Sequence, residues 1–272
     1  MDNREALELA AKLAAEAPAP VEVAEPEIDE DIDENAPLQE LITLLEQRIG
    51  TYGFLSRLYF KEVDQPFLDQ MHDALYPVET GDPDTDTGYL YIATYLSNLW
   101  TESVHELSID FSRCFFGDGI DAYSAAYPYE SVYTSERRLM MEKARSEVYR
   151  IYRENGISKT DAWKEGEDHI ALEMEFERII CGRCVDALKA GNEEEAYRLL
   201  TLQYDFLRNH LANWAPMMTR DLRKFANTKL YQGLAFLTDG FLRTDLQFLK
   251  NLLFGEEGDE EQDEFDMSDD DE

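Results

Sequence analysis

The spacing of apolar residues along the centre of the chain constrains the fold more than any other feature of the sequence. Between Leu38 and Phe254, apolar residues recur three and four positions apart, as they do on one face of an α-helix. No stretch of this region alternates apolar and polar residues in the way that half-buried strands do. The connections between successive helical segments are short, so neighbouring helices are expected to pack antiparallel. The sequence therefore predicts an all-α fold, a single compact bundle of about eight to ten helices.

Turn and capping residues divide this region into predicted helices. One apolar stripe runs from Leu38 to Tyr59, and Pro66 is placed at the start of a short second helix. Polar residues predict a loop over 77–88, followed by an apolar helical stretch that extends to Phe116. Further helices are predicted from Thr134 or Ser135 to Asn155, and over 167–189, 192–213, 216–229 and 231–253.

The two ends of the chain differ from its centre in charge. The formal net charge of the 272 residues is −34; residues 1–35 hold 12 acidic and two basic residues, and residues 255–272 hold 12 acidic and no basic ones. Segments with so much charge and so few apolar residues cannot bury enough surface to fold. We therefore expect a short helix and an acidic linker over residues 1–36, the helical domain over 37–254, and a disordered acidic tail over 255–272.

Charge and composition also exclude several classes of protein. A net charge of −34 repels phosphate, which argues against a nucleic-acid partner. Three cysteines cannot form a disulfide scaffold, which favours a reducing compartment. No apolar run reaches the 18 or so residues that span a bilayer. The sequence predicts a cytoplasmic protein without stable membrane insertion.

The sequence contains no complete motif for catalysis or metal binding. Cys181 and Cys184 have the spacing of half a zinc site or of a redox pair, but no second half exists, so they are interpreted as small core residues. His105 begins a motif that would need a second histidine at position 109, which is Ile109. No phosphate-binding loop or nucleophile elbow is present. We predict no metal, no cofactor and no enzymatic activity.

A polar cluster marks the start of one predicted helix. It reads Glu165-Gly166-Glu167-Asp168-His169-Ile170. At such a loop-to-helix junction Glu167 or Asp168 could cap free backbone N–H groups, and a carboxylate beside His169 would favour its protonated form. From composition alone the cluster is an acidic helix start with one surface histidine. A second interpretation is a helical metal- or nucleotide-dependent hydrolase that uses Asp168, His169 and Glu173.

The cluster resembles the marker of the TorD family of redox-enzyme maturation chaperones, a Glu-Pro-x-Asp-His-(Ile/Leu) loop, with Gly166 in place of the proline. Three further stretches are similar to family motifs and follow the same order. They are Leu107-Ser108-Ile109-Asp110-Phe111-Ser112-Arg113-Cys114-Phe115-Phe116-Gly117, Pro128-Tyr129-Glu130-Ser131-Val132-Tyr133 and His210-Leu211-Ala212-Asn213-Trp214-Ala215-Pro216.

The resemblance implies an all-helical cytoplasmic chaperone, a monomer or an exchange-prone dimer, that binds and does not catalyse. Its expected partners are the catalytic subunit of a molybdopterin oxidoreductase and the twin-arginine signal peptide of that subunit, and its expected role is to assist cofactor insertion and proofreading before export. A client that lacks an exported signal, as in nitrate-reductase assembly, is an alternative.

The resemblance also implies a binding site. Glu165 and Asp168 are expected to pair with the two arginines beside His169, and four apolar or aromatic side chains are expected to line the groove: Tyr59, Leu99, Trp100 and Tyr129. For Leu99 and Trp100, ordinary core packing is the favoured alternative. Asp110 and Arg113 are expected to hold helices together. His210 and Trp214 are expected to pack a helix end.

Overall fold

The computed structural model describes residues 36–77, 79–117, 124–136, 138–140, 143–160 and 163–255. These residues form ten α-helices and one π-helical segment, and their only strand-like pairing is an isolated bridge between Tyr129 and His169. The helices are α1 (Ala36–Phe60), α2 (Gln65–Asp73), α3 (Pro83–Leu96), α4 (Ser103–Phe115), α5 (Glu130–Thr134), α6 (Lys143–Glu154), α7 (Ile170–Lys189), α8 (Glu193–Phe206), α9 (Ala212–Phe225) and α10 (Lys229–Phe254), and the π-helical segment is Leu207–Leu211. The predicted all-α fold is confirmed. The predicted terminal segments lie outside the described residues, except Ala36 in α1 and Gly255 after α10.

Two glycines allow a close approach between α3 and α10. α10 packs along α3, and a Cβ atom at Gly88 would lie 2.5 Å from the backbone nitrogen of Leu237. A Cβ atom at Gly233 would lie 2.7 Å from the carbonyl oxygen of Gly88. Any larger side chain would force the two backbones apart, so both positions require glycine.

Two predicted boundaries near α3 are wrong. Residues 83–88 were expected in a loop but form the first turns of α3, because Asp82 caps the helix by accepting a hydrogen bond from Thr85 N at 2.8 Å and Pro83 occupies its first position. The apolar stretch up to Phe116 was expected to be one helix but is interrupted between α3 and α4. There the Asn98 side chain donates to the Thr94 carbonyl oxygen at 2.7 Å, which competes with continuation of the helix.

The connection before α6 also differs from its prediction. The tyrosine-rich segment contains the short helix α5, and Ser135 follows the C-terminus of α5 instead of starting a long helix. α6 begins at Lys143 and ends, as predicted, before Gly156, whose φ is +66°.

The predicted break before Pro216 is absent. α8, the π-helical segment and α9 follow one another without a loop, and Pro216 lies inside α9. A proline in a helix clashes with the carbonyl of the residue four positions earlier, which here is Ala212. The π-helical turn ends next to Ala212, and such a turn widens the helix where the regular hydrogen-bond ladder is interrupted.

α7 lies in the core and carries the site at its N-terminal end. It contacts α1, where Ser56 Oγ donates to the Ala171 carbonyl oxygen at 2.9 Å, and it packs along α8. Buried residues of α7 include three acidic or thiol groups within two turns, Glu173, Glu177 and Cys181. The loop that enters α7 is the polar cluster 165–169.

Candidate functional site

The polar cluster is joined to the start of α5 by backbone and side-chain hydrogen bonds. Glu130 N donates to the Asp168 carbonyl oxygen, and Ile170 N donates to the Pro128 carbonyl oxygen, both at 2.9 Å. The Asp168 side chain accepts from Ser131 N at 3.1 Å and also from Ser131 Oγ. Asp168 therefore satisfies the first turn of α5 from another part of the chain. Two of the sequence motifs meet here.

The third motif, residues 210–216, forms hydrogen bonds to the same region. The Glu130 carboxylate is 3.0 Å and 3.1 Å from Nδ1 of His210 in the π-helical segment, and Trp214 Nε1 donates to Glu173 Oε2 at 3.0 Å. His210 and Trp214 thus hold buried carboxylates in addition to packing. Sequence reasoning did not assign Glu130 to the site. The motif Pro128–Tyr133 contained it, but nothing in the local sequence indicates that its partner is 80 positions away.

Glu173 is held in its neutral form by its surroundings. Burial raises the pKa of Glu173 well above its ordinary value, and the charge of the neighbouring Glu130 raises it further. Trp214 Nε1 donates to Oε2 of Glu173, whereas Oε1 has no hydrogen-bond partner among the described residues.

His169 is buried and neutral, which corrects the expectation of a protonated surface histidine. Its Nδ1 accepts a hydrogen bond from Ala171 N at 3.1 Å, so His169 caps α7, and not Glu167 or Asp168 as predicted. The rings of Tyr129 and Trp163 approach it edge-to-face, with centroids 5.1 Å and 5.3 Å away. Burial lowers the pKa of His169 to about 3, and the neutral ring carries its proton on Nε2.

Asp168 holds the loop and is not accessible in this conformation. Its side chain is fully buried; Oδ2 binds Ser131, and Oδ1 has no hydrogen-bond partner among the described residues. A Cβ atom at Gly166 would lie 2.7 Å from Asp168 Oδ1. Glycine, in the position where the family marker has proline, therefore leaves room for this carboxylate oxygen.

Glu165 is the exposed carboxylate of the loop. It accepts a hydrogen bond from the hydroxyl of Tyr129, whose pKa is raised by burial and by the Glu165 charge. The neighbouring Glu167 is buried instead and is paired with Arg145 at 2.5 Å and with Lys159 at 3.0 Å. Burial opposes ionisation of Glu167, but these two hydrogen bonds outweigh it and lower its pKa. Glu165 alone of these three loop carboxylates is presented to solvent.

A stacked pair of aromatic rings extends this surface. Phe60, at the end of α1, is 48% exposed and stacks on Trp163, with ring centroids 4.6 Å apart and planes 16° apart. Trp163 contacts His169 with its edge, so aromatic contacts connect Phe60 to Tyr129 and Glu165. We call these exposed or bordering side chains, Phe60, Trp163, Tyr129 and Glu165, the loop surface. Trp163 lies two positions before Glu165 and could have been noted from the sequence; Phe60 could not.

The other predicted groove residues lie elsewhere. Tyr59 is buried in the core, with its hydroxyl 2.8 Å from Thr238 Oγ1, so in this conformation it lines no groove. Leu99 is half-buried against the core. Trp100 is 59% exposed and borders a cavity of about 320 Å³ along α4 that none of residues 165–170 lines. The structure therefore brings Tyr129, Glu165, Asp168 and His169 together, but not these three.

The remaining candidate residues have structural partners. Cys181 and Cys184 are buried, and their thiols donate to the Leu45 and Ala196 carbonyl oxygens. Burial raises their pKa values to about 12 and about 11, as expected for unreactive core thiols. Asp110 accepts hydrogen bonds from Asn227 N and from both N and Oγ1 of Thr228, and so ties α4 to the start of α10.

The polar residues of the cluster have structural roles. Asp168, His169 and Glu173, the residues of the hydrolase alternative, are all buried and serve as acceptor, cap and neutral acid. Within the described ranges, no three His, Cys, Asp or Glu side chains are arranged to hold a metal ion. None of the described helices has the length and apolarity needed to cross a bilayer.

The described residues form a helical protein in which buried hydrogen bonds fix the loop 165–169 and in which Glu165 is exposed near the stacked rings of Phe60 and Trp163. The sequence profile of the family described as nitrate reductase delta subunit, which includes the TorD chaperones, matches residues 81–220. The chain belongs to this TorD family.

Relatives named chaperone protein TorD are similar to this chain over nearly their whole length. The protein of Vibrio parahaemolyticus is 27% identical over 222 residues, which cover 78% of this chain and 99% of the relative. Those of Vibrio cholerae and Photobacterium profundum are each 26% identical, over 79% and 78% of this chain and 97% and 98% of the relatives. The comparisons support a chaperone role.

Proposed function

We propose that this protein is a cytoplasmic chaperone for the catalytic subunit of a molybdopterin oxidoreductase. It binds the twin-arginine signal peptide of that subunit, its apo form, or both, and assists cofactor insertion and proofreading before export. It acts by binding, without catalysis and without a cofactor of its own. The observation that supports this proposal most directly is the exposed Glu165 carboxylate, which lies beside stacked aromatic rings on the loop that carries the family motif.

The loop surface suits an arginine side chain. A guanidinium group forms paired hydrogen bonds with a carboxylate and stacks on aromatic faces, whereas a lysine ammonium group does neither as well. Glu165 supplies the carboxylate, and the Phe60–Trp163 pair supplies an exposed aromatic face. An apolar stretch that follows the arginines in a peptide would continue over such rings.

Asp168 and His169 act in this proposal as positioning residues. Asp168 fixes the loop to α5, and His169 fixes it to α7, so Glu165 and Trp163 are held in place before a ligand arrives. A preformed site loses less conformational entropy on binding. Direct contact of Asp168 with an arginine, as the sequence suggested, would require this loop to open.

The charge of the whole chain supports the same type of partner. A net charge of −34 creates a negative potential that attracts a peptide with two arginines and accelerates their encounter. A monomer or an exchange-prone dimer would both present this surface.

The test is titration calorimetry of the full chain with a synthetic twin-arginine signal peptide and with a twin-lysine version of it. We expect binding in the micromolar range or tighter for the arginine peptide, at least tenfold weaker binding for the lysine peptide, and a similar loss for the Glu165→Gln variant. Glu194→Gln, an exposed change in the first turn of α8, is the matched control. If neither peptide binds, signal-peptide recognition is excluded, and the result favours binding to the apo form or a client without an exported signal.

A further inference from the structure

A long apolar groove lies between α1, α2 and α3, apart from the loop surface. We propose that it binds an amphipathic helical segment of an incompletely folded client protein, with a cationic residue of that segment at the end of the groove near α3. This inference rests on the proposed function and deepens it, because it assigns a second surface to a different part of the client.

The groove consists of two adjoining cavities of about 630 Å³ and about 470 Å³. They share residues 74–77, which follow α2, and Tyr89 of α3. The floor is apolar and aromatic and includes Phe54, Phe67, Met71, Tyr76 and Tyr89. Grooves of this kind between helices are the usual receptors for the apolar face of a partner helix.

Two leucines of the groove are exposed to an extent that the fold itself does not require. Leu75 is 98% exposed and Leu90 is 63% exposed, more than the other leucines described as exposed on this protein. Both line the groove. Single exposed apolar residues are ordinary, but exposed leucines that border a large apolar cavity mark an interaction surface.

The charges of the groove select the chemistry of its occupant. Glu79 and Asp86 line the cavity near α3, and the described residues that line the two cavities include no lysine or arginine. Asp86 accepts hydrogen bonds from Thr80 N and Oγ1, both at 2.7 Å, which orient its carboxylate. An occupant with an apolar face and a cation at one end complements this arrangement.

The same charges argue against two other occupants of the groove, the protein's own N-terminal segment and a second copy of the chain. The N-terminal segment 1–35 contains apolar residues such as Leu9 and Leu13, but it has 12 acidic and only two basic residues. A second copy of this chain carries the same net charge of −34. Both would be repelled by the acidic end of the groove.

The probe is a fluorescein-labelled amphipathic helical peptide, with leucine on one face, glutamine on the other and two lysines at its N-terminus, and its control has glutamates in place of the lysines. Binding to the full chain is followed by fluorescence anisotropy. We expect the Leu75→Ser/Leu90→Ser double variant to bind the lysine probe at least tenfold more weakly. Leu139→Ser, a change at an exposed leucine that lines neither cavity, is expected to bind within twofold of the unchanged protein. Glu79→Gln is expected to reduce the preference for the lysine probe over the glutamate probe.

Equal affinity of the double variant and the unchanged protein overturns the proposal, as does an equal loss in Leu139→Ser. Displacement of the probe by a synthetic peptide of residues 4–17 at similar concentration would assign the groove to the protein's own N-terminus instead. A dimer in sedimentation experiments that the double variant abolishes would assign it to a second copy. Circular dichroism confirms that the variants are folded.

A crossed measurement separates this surface from the loop surface. Glu165→Gln is expected to leave binding of the lysine probe unchanged, and the double variant is expected to leave binding of the twin-arginine peptide unchanged. Loss of both ligands in both variants would show a single site and would overturn the second surface while leaving the proposed function intact.

Discussion

Replacement of Glu173 by glutamine tests whether the buried core of the site depends on a protonated carboxyl group. Glu173 is fully buried, accepts a hydrogen bond from Trp214 Nε1 at 3.0 Å and lies beside Glu130. Glutamine has the shape of protonated glutamic acid: its carbonyl oxygen can accept from Trp214, and its NH₂ group can donate where the acid donates its proton. The substitution therefore preserves the contacts and removes only the titration.

The sign and size of the effect follow from proton linkage. The pKa of Glu173 is raised in the folded state, so the stability that its proton contributes is complete below the unfolded pKa and is lost as pH rises towards the folded pKa. Between these two pKa values the unfolded chain releases the proton and the native state keeps it. The free energy of unfolding therefore falls by about 1.4 kcal/mol per pH unit. Glu173→Gln avoids this loss. Its free energy of unfolding should therefore gain on that of the unchanged protein as pH rises from 5 to 7, by up to about 1.4 kcal/mol for each pH unit.

The measurement is urea denaturation followed by circular dichroism at pH 5, 6 and 7, with the difference between variant and unchanged protein taken at each pH. Other groups titrate in both proteins and cancel in this difference. The exposed substitution Glu194→Gln should give a difference that does not change with pH. A flat difference for Glu173→Gln would refute the argument, and so would a growing destabilisation of the variant as pH rises, since both mean that Glu173 is ionised in the native state.

Three further predictions follow from the packing and the charge. Gly88→Ala should destabilise the fold by about 2 kcal/mol or more in urea denaturation, because its Cβ would lie 2.5 Å from Leu237 N; an effect below 0.5 kcal/mol would contradict the close crossing of α3 and α10. Trp214→Phe should cost about 2 kcal/mol by leaving Glu173 without its donor, and the loss should be smaller in a Glu173→Leu background, which a thermodynamic cycle measures. The association rate for a twin-arginine peptide, measured by stopped-flow fluorescence, should fall as salt rises from 0.01 M to 0.5 M; equal rates would exclude electrostatic steering.

Helix starts and stops were predictable wherever the signal lies within a few residues. Asp64 and Pro66 start α2, and Asn192 caps α8 by accepting from Glu195 N at 3.2 Å. These signals act over one helical turn, so they can be recognised without knowledge of the fold. The break after Leu96 and the continuity through Pro216 were not predicted, because competing side-chain hydrogen bonds and a π-helical turn decide them.

The position of the candidate site in the chain was predictable, but the contacts and roles of its residues were not. The cluster around Asp168 was recognised from its motif, and the structure joins it to two other motifs. Its hydrogen bonds connect residues 37, 41 and 80 positions apart, and no periodic pattern reports such contacts. Glu165 was predicted as a binding residue, but its exposure and the stacking of Phe60 on Trp163 are decided by the packing.

The amino-acid sequence by itself determined that the central region is helical, because apolar spacing and end caps act locally along the backbone. It also determined the strongly acidic character of the chain, which depends on composition alone. Tertiary structure decided which polar groups are buried, and burial sets the charge of an acid or a histidine through the loss of hydration. For that reason burial favours the neutral forms of His169 and Glu173, Asp168 accepts a hydrogen bond from the first turn of α5, and Glu165 is the carboxylate that faces solvent.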